Sequence, residues 1–443
     1  MTDMINDRLP EGVTQKNPDR KTLARVAGAV LMGSALEWYD YFLYGAASAL
    51  VFSVVFFPSE NPSVSLLLAM ATFGAGFVAR PFGAIVFGRI GDKYGRRPAL
   101  VATLLLMGLA TACMALIPSH SVIGVWAPVL LVLTRLLQGM GSGAEYSGAS
   151  VFAVEYAPDN RRGLYGSLSA AGVYLGLVLS SAAILLMTAI TTEAQFISWG
   201  WRVPFLASLV LVGLGLWIRM HLEETPEFER EVSDTEPEDR APLTTLFRNE
   251  WRTMVLVGGL VAAPLALSHL YQVFALSYLK ERGYDASVGS FGLIVAGITV
   301  MVVAPIAGRV SDSVGRRTVL MVGAGFAILF AFPFFWLVNT DQPGWAMVAL
   351  AVAQGGSVGI AFGVQGVLLA ELFSTKSRYS GAAISREVAA VVFGGFGPFI
   401  AVALSTAAGG AWWPVALYVM GLGLITITAG WKAPETARTA LSD

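Results

Sequence analysis

The sequence predicts an all-α membrane protein of twelve transmembrane helices in two six-helix bundles, on three observations: long stretches without charge, alternation of basic and non-basic loops, and a repeat joining the two halves. Only 13% of the 443 residues are Asp, Glu, Lys or Arg, against about 25% in soluble chains. The missing charge is missing in blocks. No such residue occurs from Pro98 to Thr134, and only Glu37 and Asp40 occur from Val26 to Phe57. These runs exceed the roughly 20 apolar residues that cross a hydrocarbon core. A lipid solvent leaves only helices or closed barrels, because every backbone N–H and C=O must be paired. The runs are too long for barrel strands of about 9–11 residues.

Twelve spans fall near 26–57, 63–88, 98–117, 123–152, 164–189, 203–220, 253–279, 289–310, 318–338, 345–371, 381–406 and 411–431. Lys and Arg concentrate in alternate loops: Arg89, Lys93, Arg96 and Arg97; Arg161 and Arg162; Arg309, Arg316 and Arg317; Lys376 and Arg378. The opposite loops at 58–61, 118–121 and 339–344 have none, and Lys280 with Arg282 is the exception on that side. The positive-inside rule then places both termini in the cytoplasm of a cell-membrane protein. Residues 1–20 form a polar cytoplasmic tail without the apolar core of a secretory signal. An acidic, Pro-containing stretch, 223–251, reads as a cytoplasmic linker between bundles 21–222 and 252–432, with 433–443 as a second tail. Cys113 is the single cysteine, which excludes an internal disulfide and a cysteine-rich metal site. The net charge of −1 gives no footprint for nucleic acid.

The halves repeat. Gly88-Arg-Ile-Gly-Asp92-Lys-Tyr-Gly95-Arg96-Arg97 recurs as Gly308-Arg-Val-Ser-Asp312-Ser-Val-Gly315-Arg316-Arg317, each between the second and third spans of its half. Glu155, seven residues before Arg162, is echoed by Glu371, seven residues before Arg378. Duplicated halves are a common transporter architecture.

With these motifs in view, the chain resembles the major facilitator superfamily, whose loop pattern G-x3-D-x2-G-R-R is present twice. Glu37-Trp-Tyr-Asp40-Tyr, Arg80-Pro-Phe-Gly83, Arg135-Leu-Leu-Gln138-Gly139, Gly143-Ala-Glu145-Tyr, Trp199-Gly-Trp-Arg202-Val-Pro204 and Glu224-Thr-Pro-Glu-Phe228 resemble its metabolite:proton symporter branch. That branch includes shikimate, α-ketoglutarate and proline/betaine permeases. The Ser385-Arg386-Glu387 stretch in the eleventh span departs from the pattern, where an aromatic beside small or amide residues is usual.

An ionised side chain at the middle of a span costs about 2.5–3.5 kcal/mol on insertion scales, so each one present should face the interior with a partner. Glu37 and Asp40, at i and i+3, share a helical face. Two close carboxylates in a low dielectric do not both ionise easily, so at least one is a candidate proton carrier; a structural salt bridge is the alternative. Glu145 is a candidate relay or a structural partner. Arg135, with Gln138 on its face, either holds an anionic substrate through its planar fork or pairs with Glu37 or Asp40. Arg80 and Arg386 are further candidate anchors; the alternative for Arg80 is a gate or lipid-headgroup role and for Arg386 local pairing, although Arg386 and Glu387, being adjacent, should point to different faces. Tyr271, Gln272 and Gln365 are candidate substrate contacts or interhelical hydrogen bonders. His269 titrates in the range of a proton sensor, but near an outer helix end it reads as a satisfied side chain.

The loop motifs imply a gate. By resemblance, Asp92 braces the eleventh span and Asp312 the fifth, Arg96 pairs with Glu155 and Arg316 with Glu371, and Gly88, Gly95, Gly308, Gly315, Arg162 and Arg378 complete the contacts. No metal cluster, nucleophile motif or phosphate-binding loop is present, so a non-enzyme without a cofactor is expected, with the proton as coupling ion. The expected function is proton-coupled import of a small organic acid, shikimate-like or another carboxylate, by a monomer in the lipid bilayer. Its alternatives are a zwitterionic osmolyte symporter and a non-transporting membrane sensor.

Overall fold

A computed structural model describes residues 20–94, 96–143, 145–221, 248, 250–373 and 378–437, and all regular structure among them is helical. Helix α1 (Arg20–Ala47) runs through a π-turn (Ser48–Phe52) into Ser53–Val55. There follow α2 (Pro62–Tyr94), α3 (Arg96–Leu116), α4 (Trp126–Gly141, resumed as Glu145–Glu155), α5 (Arg162–Ile190) and α6 (Arg202–His221). The chain continues with α7 (Trp251–Glu281), α8 (Ala286–Val314), α9 (Arg316–Val338), α10 (Pro343–Leu372), α11 (Gly381–Ala407, its first turn reaching back to Arg378) and α12 (Trp413–Lys432).

Among the described residues, eight helices are long and apolar enough to cross a membrane: α2, α5 and α7 to α12. The pair Glu193–Gly200 and Arg202–Leu216, bent by 45°, makes a ninth. The protein is therefore an all-α, multi-pass membrane protein. Its outer face agrees, since Phe82, Val210, Leu329 and Trp431 are each more than half exposed, the reverse of a surface built for water. The other helices depart from the simple pattern in identifiable ways. Helix α1 carries Glu37 and Asp40, and the apolar part of α3 is limited to Val101–Leu116. The continuous span expected over 123–152 is divided. A short helix, His120–Ile123, ends at Gly124 with φ +58, and α4 breaks after Gly141. The reason lies in small residues: Ser142 hydrogen-bonds the Tyr41 hydroxyl at 3.1 Å, and Gly143 lies against the Arg80 backbone.

Packing follows a pairwise scheme. α1 lies along α5 and α7 along α11; α2 along α4 and α8 along α10; α3 along α6 and α9 along α12. The two series meet where α5 lies along α8 and α2 along α11. Close approach is set by glycine. Gly76 of α2 faces Gly139 of α4 backbone to backbone, and a Cβ on either would overlap the other's carbonyl or the Arg135 side chain. Small residues serve this purpose where lipid supplies no hydrophobic drive for helix association. Arg202, at the start of α6, donates to the carbonyls of Ala115 and Ile117 (2.8 Å for Ile117), which satisfies the open end of α3. Thr426 of α12 inserts into the turn ahead of Pro264 in α7, accepting from Ala263 N and donating to Gly259 O, both at 3.0 Å.

Candidate functional site

Six ionisable side chains, Glu37 and Asp40 on α1, Arg80 on α2, Arg135 on α4, and Arg386 and Glu387 on α11, lie at the centre with no more than 2% exposure. They form two clusters. In the first, Thr111 of α3 donates to Asp40 Oδ2 at 2.9 Å, Gln138 Nε2 donates to Thr111 Oγ1 at 2.8 Å, and Arg135 Nη1 donates to Gln138 Oε1. Asp40 and Arg135 thus communicate through two neutral side chains. The guanidinium of Arg135 also donates to Phe73 O at 3.3 Å and lies 4.3 and 4.1 Å from the ring centroids of Tyr41 and Tyr44. Such faces stabilise a desolvated cation.

The second cluster crosses between the two series of helices. Arg80 pairs with Glu387 through Nε–Oε2 and through Nη2–Oε1 at 3.2 Å, and its Nη2 lies 3.7 Å from Glu37 Oε1. Arg386 Nη1 donates to the same Glu387 Oε1 at 2.7 Å. The bidentate fork suits this geometry. Trp38 faces both cations, 5.4 Å from Arg80 Cζ and 5.8 Å from Arg386 Cζ, and Tyr146 lies 3.9 Å from Arg386 Cζ. Several polar atoms here have no protein hydrogen-bond partner: Arg80 Nη1, Arg386 Nε and Nη2, Trp38 Nε1 and both ring nitrogens of His269; on α10, both amide atoms of the buried Gln365 also lack one.

Beside these clusters a neutral network ties α5 to α7 and α10. The Tyr174 hydroxyl meets Ser268 Oγ and Gln354 Oε1, each at 3.0 Å, and Gln272 Nε2 donates to Ser268 at 3.2 Å.

At the end of the bundle bearing the repeated loop motifs, Asp312 Oδ1 accepts from Gly163 N at the start of α5 (2.8 Å) and from Arg316 Nη1 (2.8 Å). Arg316 pairs with Glu371 at 3.2 Å. Arg378 lies 3.7 Å from Glu155, joining α11 to α4. Gly308 lies against the Gly163 carbonyl, where a Cβ would collide. Gly315, with φ +113, admits the carboxylate of Glu435, which accepts from Arg316 N at 2.7 Å, while Thr436 donates to Glu371 at 2.6 Å.

The family model of the Major Facilitator Superfamily matches residues 38–391. The chain belongs to the major facilitator superfamily. This major facilitator is 38% identical to the shikimate transporter of Escherichia coli (strain K12) over 417 residues, 92% of this chain and 95% of that protein. It is 35% identical to the proline/betaine transporter of the same strain over 432 residues, 96% of this chain and 86% of that protein. A crystal structure of a D-xylose-proton symporter superposes with a TM-score of 0.74 at 18% identity, covering 94% of this chain and all of that one. The protein is a transporter, and its metabolite-transporter relatives cover nearly its whole length.

Of the residues singled out in the sequence, the transporter brings Glu37, Arg80 and Arg386 into one cluster and Asp40, Arg135 and Gln138 into the other. Glu37 and Asp40 share a helical face yet have separate partners, because α2 with α11 flanks one and α3 with α4 the other. Arg386 and Glu387 do not diverge as expected; both side chains are long enough to bend back to a common ion pair. Tyr271 turns to Phe334 of α9, 5.0 Å between centroids, and Gln272 to Ser268. His269 is buried without a hydrogen bond to either nitrogen, not satisfied near a helix end as the sequence suggested. Gly95 lies outside the described residues, as do the side chains at Gly88, Asp92, Arg96 and Glu145, so the contacts expected of these five lie there too. Trp38 and Tyr146 lie inside the quoted motifs but were given no role, and Thr111, Tyr174 and Ser268 were not singled out. Being aromatic or small in apolar runs, the last three carry no sequence signal apart from the core.

Proposed function

We propose that the protein imports a small organic acid with protons by alternating access, as a monomer with both termini cytoplasmic. In this reading twelve helices cross the membrane as two six-helix bundles, 21–222 and 252–432, joined by a cytoplasmic linker. The repeated pairings of α1–α5 with α7–α11, α2–α4 with α8–α10 and α3–α6 with α9–α12 support this division. The loop-motif end is then the inner gate: Asp312, Arg316, Glu371 and the Glu155–Arg378 pair hold it shut, with Gly88, Asp92, Gly95 and Arg96 as their counterparts in the first bundle.

The observation that carries the substrate reading is the cationic edge of the second cluster. Arg80 and Arg386 are fully buried and retain N–H groups without a protein acceptor. A carboxylate supplies the acceptors that such donors need. Asp40 is proposed as the proton carrier, with Glu37 and Glu145 as further candidates on the proton's route. Protonating Asp40 removes the charge that Arg135 senses through Thr111 and Gln138, coupling proton uptake to rearrangement at α4. The similarity to the shikimate transporter of Escherichia coli agrees with a carboxylate cargo. A zwitterion is the second reading, favoured by the buried Glu37 and Glu387 and by the proline/betaine relative.

Uptake of labelled shikimate and glycine betaine into proteoliposomes, with and without an inward proton gradient, tests this. Gradient-dependent accumulation of the carboxylate, lost in folded Arg386→Gln, Arg135→Ala and Asp40→Asn, is expected. Accumulation of betaine alone, or uptake indifferent to the gradient and to all three changes, overturns it.

A further inference from the structure

We infer that His269 and Trp38 form the substrate-selecting face of the central site, where the imidazole hydrogen-bonds a hydroxyl group of the transported carboxylate and the indole N–H serves a second oxygen. The inference rests on the carboxylate reading above and deepens it to a class: a compact hydroxylated monocarboxylate, with exclusion of fixed cations.

Placement is the first argument. His269 belongs to α7, yet its ring projects into a box built by α1 and α2. Trp38 lies parallel to it with centroids 6.1 Å apart, Phe42 is at 6.5 Å, Phe73 at 5.5 Å and Phe77 at 5.0 Å. Gly394 of α11 also borders the ring, where an added Cβ would stand 3.2 Å from His269 Cδ2 and 3.6 Å from Nε2. The imidazole is 1% exposed and neither nitrogen has a partner. A phenyl ring would fill an aromatic box without the cost of burying unpaired nitrogens. A histidine in that place is chemically useful only to a partner that arrives. The box is made across the α7–α1 and α7–α2 boundaries, so any rocking of one helix series against the other moves His269 relative to it.

The hydrogen-bonding character around the box supplies the class. The unpaired groups of Arg80, Arg386 and Trp38 are donors only, and His269 offers one donor and one acceptor. A matching ligand is rich in acceptors and carries some donors, as a hydroxylated carboxylate is. A quaternary ammonium has no donor, and it would bring positive charge beside two guanidinium groups. The carboxylates able to offset it, Glu37 and Glu387, already face Arg80 and Arg386.

The test is equilibrium binding by calorimetry to the purified full chain, with shikimate, cyclohexene-1-carboxylate and glycine betaine as probes. Native protein is expected to prefer shikimate to its unhydroxylated analogue by about tenfold, the worth of one hydrogen bond near 1.4 kcal/mol. His269→Phe keeps the ring packing and should abolish that preference while leaving binding of the analogue within about twofold. His269→Gln, which keeps a donor and an acceptor, should restore part of it, and either folded variant decides the matter. Trp38→Phe should weaken both carboxylates. An unchanged preference in His269→Phe, with shikimate still bound, overturns the role of His269 and leaves carboxylate transport standing. Binding of betaine but of neither carboxylate overturns the carboxylate reading itself, and this inference with it.

Discussion

Arg80 reaches Glu37 on α1 and Glu387 on α11 from a position wholly out of water. Removing one partner of a buried ion pair leaves an uncompensated charge, at a cost of about 3–5 kcal/mol. Arg80→Gln and Glu387→Gln should each lower the unfolding midpoint in detergent strongly. The double variant should recover part of the loss, and additive losses would mean that the contact is not formed. This residue scale was also the most legible in part. Glu37, Asp40, Arg80, Arg135 and Arg386 stand out because ionisable groups in apolar runs have few reasons to be there. Thr111 and Tyr174 do not stand out, and His269 stands out as titratable yet reads as satisfied, since the surroundings of a side chain in a span stay hidden until a partner from another helix is in view. Helical spacing placed Glu37 and Asp40 on one face correctly, but the identity of the flanking helices, which separates their partners, is not written in α1.

At the scale of elements, the central helices depart from ideal geometry where the polar residues sit. Gln272 lies in a π-turn of α7 (Leu270–Phe274) and Gln354 opens another in α10 (Gln354–Gly359), and such bulges cluster at functional sites. Length and composition predict a helix there; they do not show a widened turn. The glycines that set the α2–α4 distance invite a direct comparison. Gly139→Ala drives a methyl into the Gly76 backbone and should cost about 1–3 kcal/mol as overpacking. Gly325→Ala, on α9 with nothing within 4 Å of the added methyl, should be neutral or stabilise by about 0.5–1 kcal/mol through helix propensity. Thermal unfolding of both variants checks the pair, and equal midpoints would contradict the close approach of α2 and α4. The break in α4 is not read from the sequence because Gly141-Ser142-Gly143, a turn signal in a soluble chain, is also the kind of small-residue run that packs helices inside a membrane. What ends the helix is the approach of α1 and α2.

For the whole molecule, the internal repeat was legible because it is written in letters: the two loop motifs and the two Glu-to-Arg spacings. The count of spans was less so, since α1, α3 and α4 fall short of the simple test of length and apolarity. The contacts around Asp312 and Arg316 are charge-assisted hydrogen bonds, worth about 1.5–3 kcal/mol each. Asp312→Asn should therefore raise the population opened at that end by roughly tenfold or more, on a scale where 1.4 kcal/mol is tenfold. Distances between spin labels on the ends of α5 and α8, in a Cys113→Ser background that leaves no native thiol, read this out. An unchanged distribution would remove Asp312 from the gate. Residues 433–437, assigned from sequence to a cytoplasmic tail, bear on the same place. Glu435 seats on the start of α9 and Thr436 on Glu371. A fusion partner joined at Lys432, or proteolysis there, would take away these hydrogen bonds, together with that from Arg317 to Ala433 O and the Arg317–Glu435 ion pair, from a structure that otherwise looks intact. Preparations differing only in where a tag begins would then differ in how readily the molecule opens, and hence in apparent turnover.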